Sequence, residues 1–186
     1  MSEFRVASRY AKSLLELAVE KGILDQVHQD MVGLSQLAVS NSEFAAMLKS
    51  PVIGSEKKLA VLEKILSGAA SELTLTFVRL VSQKGREPFI PAMAEEFHRQ
   101  YNIQQGIQTA EVITTFPLDA ALRKQFEQIV KEVSGKTNVE LLEKVDSKLI
   151  GGFVLKIGDR QYDESINSKL RKLKLDFTQN LYEKKY

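Results

Sequence analysis

The chain holds two histidines, His28 and His98, and no cysteine. Each histidine falls alone within a helical pattern, without a second ligand type at i+3 or i+4, so neither begins a metal site by itself. His98 has Glu95 three residues before it, which allows a carboxylate–histidine contact. A histidine packed between helices or lying on a surface is the commoner meaning of such a pair. Ser134-Gly135-Lys136-Thr137 has the ending of a phosphate-binding loop. The loop needs a further glycine at the place held by Val130, and a strand before it with a helix after. Here a helix comes first and a strand follows, so Gly135 reads as a helix C-cap. Gly151, Gly152 and Gly158 lack the dinucleotide spacing and stand inside a strand-like run, where glycine marks a bulge or the close approach of another backbone. The acidic pairs Glu95-Glu96 and Asp163-Glu164 read as solvated helix charges, the second favoured by the dipole of the helix it precedes. No nucleophile elbow is present. The basic residues Lys169, Arg171, Lys172 and Lys174 spread around their helix and read as solvated surface. No catalytic residue, cofactor or metal is expected.

The elements that would carry these residues fall into two groups. Residues 1–105 read as about six helices broken at Gly22, Ser40-Asn41-Ser42, Ser50-Pro51, Gly68 and Gly85, and closed by Gly106. Within them, Asn41 and its neighbours and Ser55 suit helix N-caps. From Gly106 the texture changes. Residues 106–115 are rich in β-branched side chains and read as a strand. A helix is expected from Pro117, with Leu118, Leu122, Phe126, Ile129 and Val133 on one face. Residues 138–145 and 148–157 read as two strands paired as a hairpin through Asp146-Ser147. A last helix carries Ile166, Leu170, Leu173 and Phe177. The expected fold is mainly α: an N-terminal six-helix bundle over 1–105, followed by a small α/β domain over 106–186.

Composition narrows the function classes. Hydrophobic residues make up 44% and charged residues 27% of 186 residues, an ordinary globular balance. The absence of cysteine excludes disulfides, thiolate zinc sites and cysteine nucleophiles. No apolar run reaches the roughly 20 residues that span a bilayer, and the N-terminus lacks the pattern of a signal peptide. The net charge is +2. Residues 1–105 hold 12 basic and 12 acidic side chains, and the remainder 14 and 12, so neither half has the charge excess of a nucleic-acid surface.

Two helices have unusually broad apolar arcs. At about 100° per residue, Phe4, Ala7, Ala11, Leu14, Leu15, Ala18 and Val19 share one face of the first helix, and Val6, Tyr10 and Leu17 an adjoining one. The fifth helix places Leu73, Phe77, Leu80 and Val81 together, with Leu75 and Val78 extending the face. Such width suits either helices central in a bundle or a groove left open for a partner helix.

The string from Val139 to Gly158, VELLEKVDSKLIGGFVLKIG, followed by Asp159-Arg160-Gln161-Tyr162-Asp163, resembles the signature of the delta subunit of F-type ATP synthases, the counterpart of the mitochondrial oligomycin-sensitivity-conferring protein. Val139, Asp146, Gly151, Gly152, Phe153, Lys156 and Gly158 carry the resemblance, with Leu141, Val145, Leu149 and Leu155 in support. Arg9-Tyr10-Ala11-Lys12-Ser13-Leu14 is similar to the family's opening helix. The resemblance implies a non-catalytic stator subunit, one copy per complex, linking the catalytic head to the peripheral stalk so that proton-driven rotation yields ATP. It implies that the first domain binds the N-terminal helix of an alpha subunit, between the first and fifth helices. Val6, Tyr10, Ser13 and Leu17 and then Leu75, Val78 and Arg79 are the residues expected there. The second domain is expected to bind the b subunit. The implied location is peripheral, on the cytoplasmic side of the bacterial inner membrane.

Overall fold

The computed structural model describes residues 3–68 and 70–178. The chain divides into two compact units, one ending at Gln104 and the other starting at Gln105.

The first unit is helical. It contains α1 (Glu3–Glu20), α2 (Leu24–Ser40), α3 (Ser42–Lys49), α4 (Ser55–Leu66), α5 (Glu72–Gln83) and α6 (Ile90–Gln104), with a 3-10 turn over Glu87–Phe89 before α6. The Asn41 side chain accepts from the Glu43 and Phe44 amides and so caps α3, as expected of asparagine at that position. Ser55 instead begins α4, whose N-cap is Gly54 without a side-chain hydrogen bond. The core gathers Ala7, Ala11, Leu14 and Ala18 of α1 with Val27 and Met31 of α2, Leu62 of α4, Val78 and Val81 of α5, and Met93 and Phe97 of α6. The three alanines of α1 carry almost no exposed surface. Side chains this small let a neighbouring helix approach closely.

Polar contacts fasten the bundle. On α6, Glu96 accepts from Arg99 through both carboxylate oxygens and from Gln100, and Gln100 also donates to the Ser8 carbonyl of α1. The charged hydrogen bond from Arg99 is the main reason the Glu96 carboxyl titrates below its ordinary value, against the opposing effect of burial.

The second unit contains β1 (Gln108–Thr114), α7 (Ala120–Ser134), β2 (Val139–Val145), β3 (Phe153–Ile157), β4 (Arg160–Asp163) and α8 (Ile166–Thr178). The strand order is β2-β1-β3-β4. Here the expected hairpin between residues 138–145 and 148–157 is corrected. Strand β2 pairs parallel to β1, Gln108 opposite Val139, and β3 pairs antiparallel on the other side of β1, Ala110 opposite Ile157. The β2–β3 connection therefore crosses the end of β1: the Asp146 amide donates to the Thr114 carbonyl there. Strand β1 buries Ala110, Val112 and Thr114, and a buried central strand needs a partner on each edge to satisfy its backbone groups. A real hairpin joins β3 to β4 through Gly158-Asp159, with Ile157 opposite Arg160. The Gly-Asp pair is a recognised two-residue hairpin signal, and β4 is a strand that the sequence analysis does not assign.

Helix α7 starts at Ala120, not Pro117, because the Asp119 side chain caps it by accepting from the Leu122 amide. Phe126 and Val130 of α7 pack on Ala110, Val112, Leu155 and Ile157 to form the second core. Ile129, expected on the same face, is 40% exposed.

Candidate functional site

The groove residues come from α1 and α5. Helix α1 turns its alanines and Leu14 into the bundle, leaving Tyr10, Ser13 and Leu17 on its flank. Helix α5 is held at its start by a polar clasp: Ser71 caps it by accepting from the Thr74 amide, while Asp30 of α2 accepts from the Ser71 amide and the Thr74 hydroxyl. That clasp sets the rotation of α5, with Phe77, Val78 and Val81 buried and Leu73, Thr76 and Leu80 on the side facing the groove.

Between them lies an apolar groove of about 350 Å³, lined by Tyr10, Leu14, Leu17, Leu73, Phe77 and Leu80 together with Arg9, Ser13, Thr76 and Arg86. Tyr10 meets Phe77 edge to face, ring centroids 6.2 Å apart. The Ser13 hydroxyl donates to the Arg9 carbonyl, which satisfies it within its own helix. Leu17 and Leu80 remain 45% and 46% exposed, so large apolar side chains stand open to water along the cleft.

Of the residues expected to receive a partner, Tyr10, Ser13 and Leu17 line this groove. Val6 and Leu75 are half-buried and pack against the bundle core. Val78 has no exposed surface and cannot touch a docked partner, which corrects its place in the expected set. Arg79 instead reaches Glu63 of α4 at 2.6 Å. Thus the groove side of α5 is its Leu73-Thr76-Leu80 side, with the buried Phe77 beneath it. Both faces were visible as one broad apolar arc, and nothing local in the sequence distinguished core from cleft. Arg86, beyond the end of α5, had no sequence signal: its Nη1 donates to the Tyr10 hydroxyl at 2.9 Å.

The histidines are not separate. His28 Nε2 and His98 Nδ1 lie 2.8 Å apart, joining α2 to α6, and the Tyr101 ring stacks on His28 with centroids 3.7 Å apart. The Tyr101 hydroxyl donates to Asp25. Burial, and then that carboxylate, push the phenol up from its ordinary value. Among the described residues no three His, Asp or Glu side chains form a metal-holding group, and no helix is long and apolar enough to cross a membrane.

The signature residues of the second unit make contacts within that unit. Gly151 and Gly152 lie where the start of α8 passes over the entry to β3. The Ile166 amide donates to the Gly151 carbonyl and the Glu164 amide to the Phe153 carbonyl. A Cβ on Gly152 would sit 2.3 Å from the Glu164 carbonyl oxygen. Here the sequence reading of a close backbone approach holds, at a bend before β3 and not within the strand. Phe153 meets Phe126 edge to face at 4.9 Å. Lys156 of β3 pairs with Glu111, opposite it on β1, at 2.9 Å. Val139 opens β2, and Asp146 turns the chain beyond it by accepting from the Lys148 amide. Gly158 forms the β3–β4 turn with Asp159.

Asp163 accepts from the Ser168 hydroxyl and the Ser165 amide before α8; these bonds, the Ser168 one first, hold its carboxyl below the ordinary aspartate value. None of residues 166–178 is buried, and Leu170, Leu173 and Phe177 are all exposed.

One unit thus carries an apolar cleft between two helices, and the other a helix whose described residues leave Leu170, Leu173 and Phe177 exposed. A family model described as the ATP synthase delta (OSCP) subunit matches residues 6–177. The chain is 42% identical over 181 residues to ATP synthase subunit delta of Cytophaga hutchinsonii, covering 97% of this chain and 98% of the relative. It is 38% identical to the same subunit of Amoebophilus asiaticus, covering 95% and 96%. Its fold matches a chain in the cryo-EM structure of the Toxoplasma gondii mitochondrial ATP synthase hexamer with a TM-score of 0.75, at 20% identity, covering 94% and 98%. The chain belongs to the ATP synthase delta (OSCP) subunit family: it is a non-catalytic stator subunit that links the catalytic head of the ATP synthase to its peripheral stalk.

Proposed function

We propose that the α1–α5 groove receives the N-terminal helix of an alpha subunit of the head, and that the second unit holds the end of the b-subunit stalk around α8. One copy serves each complex, peripheral to the membrane on the cytoplasmic side of a bacterial cell. The open apolar groove carries the first assignment: its apolar lining and exposed leucines suit the nonpolar face of one amphipathic helix. Exposed Leu170, Leu173 and Phe177 support the second, because contiguous apolar surface on a helix that packs on little of its own chain is an interface feature. The family's stator role then follows mechanically. A contact burying about 800 Å² per partner suffices for stable binding. Two anchors on one chain raise effective concentration, since losing one leaves the other attached. Head and stalk thus stay joined while torque is applied.

The test is calorimetric titration of the full chain with a synthetic peptide of the alpha-subunit N-terminus and, separately, with a soluble b-subunit fragment. Burying a leucine is worth about 1.5–3 kcal/mol, so Leu17→Asp or Leu80→Asp should weaken the peptide at least ~10-fold with the circular dichroism unchanged. Leu170→Asp should spare the peptide and weaken the b fragment. Peptide affinity indifferent to both groove substitutions would move the head site elsewhere.

A further inference from the structure

The groove is apolar along most of its length and cationic at one end. Its charged lining residues are Arg9 and Arg86, and none of the described residues lining it is acidic. Arg86 is half-buried, gives one hydrogen bond to the Tyr10 hydroxyl, and lies 5.4 Å from the Tyr10 ring centroid. Tyr10 thus holds the guanidinium by a neutral bond and a cation–π contact. Arg79, Arg99 and Arg123 each grip a carboxylate at 2.6 Å; Arg86 has no such ion pair among the described residues. A guanidinium has five N–H donors in a planar fork, and among the described residues only Nη1 of this fork meets an acceptor. An apolar helix laid over it would strip water from the charge and return nothing, which is costly for an ion.

We propose that Arg86, positioned by Tyr10 and assisted by Arg9, is a carboxylate-recognition residue that sets the register of the helix docked in the groove. The proposal rests on the groove being a helix site. It also specifies the occupant. Leu17 lies seven residues beyond Tyr10, about 10 Å along α1 at 1.5 Å per residue. The docked helix therefore carries an Asp or Glu about two turns from the apolar side chain seated against Leu17. The carboxylate is bound by a charged, fork-shaped donor, and the apolar residue by burial.

The experiment uses the full chain and two synthetic peptides. One is the alpha-subunit N-terminal peptide; the other is the same peptide with each Asp replaced by Asn and each Glu by Gln. The wild-type chain should bind the acidic peptide at least ~10-fold more tightly, the worth of a charged hydrogen bond. Arg86→Gln should abolish the preference, and Arg86→Lys should restore only part of it because the fork is lost. Raising salt should erode the wild-type preference. The proposal is overturned if the wild-type chain binds both peptides equally, if the preference survives in Arg86→Gln, or if that variant weakens both peptides alike, which would leave Arg86 as a mere support for Tyr10. Binding of neither peptide overturns the groove assignment as well. Circular dichroism of each variant confirms that the helices persist.

Discussion

Replacing Gly152 by alanine tests the architecture of the second unit most directly. Gly152 has φ +79°, a region that costs an L-residue about 1–2 kcal/mol. The new methyl would also lie 2.3 Å from the Glu164 carbonyl oxygen and 3.0 Å from the Ser165 Cα. Carbon contacts settle near 3.5 Å, so the backbone entering α8 must retreat by roughly 1 Å. Forced overpacking of this kind adds about 1–3 kcal/mol. The sum, about 2–5 kcal/mol, rivals the 3–5 kcal/mol that a core this small supplies. Gly135 provides the control. Its φ is +68° but a Cβ there meets nothing within 4 Å, so Gly135→Ala should carry only the conformational part, about 1–2 kcal/mol. Amide hydrogen exchange on the intact chain reads the two units separately. Gly152→Ala should collapse protection in β3, β4 and α8 while α1–α6 keep theirs; Gly135→Ala should lower it modestly. Equal effects of the two substitutions would refute the close-approach argument.

Two further outcomes follow from the first unit. Val78→Asp, at a site with no exposed surface, should unfold the bundle or cost more than about 4 kcal/mol by thermal circular dichroism, so any loss of partner binding there reflects folding; a melt like wild type would contradict the burial of Val78. Glu96 titrates below the ordinary glutamate value of 4.5 in the folded bundle, so its contribution is complete above that value and is lost as pH falls through the lowered one. Urea unfolding should show the wild type losing about 1 kcal/mol more than Glu96→Gln on acidification, and parallel pH profiles would remove Glu96 from the account.

The sequence by itself determined the helices, their breaks, the change of texture after Gly106 and the family signature. Each is local: apolar residues recurring at helical spacing, a side chain able to cap, or a glycine that must accommodate another backbone. For Gly151 and Gly152 the sequence leaves a bulge and a close backbone approach both open, and the Glu164 carbonyl against Gly152 decides for the second. Tertiary structure alone decided what lies against what. The sequence of β2 did not disclose that its partner is β1, because strand pairing joins residues far apart in the chain and both Asp146-Ser147 and Gly158-Asp159 look like turns. Nor did the broad arc of α5 disclose that Val78 points inward while Leu80 borders the cleft. Helix periodicity groups the faces, but the Asp30 clasp on Ser71 and Thr74 sets the rotation. His28 and His98, seventy residues apart, meet only because α2 and α6 pack together. Arg86 reaches Tyr10 for the same reason, and with it the groove acquires a charged end that no run of neighbouring residues could announce.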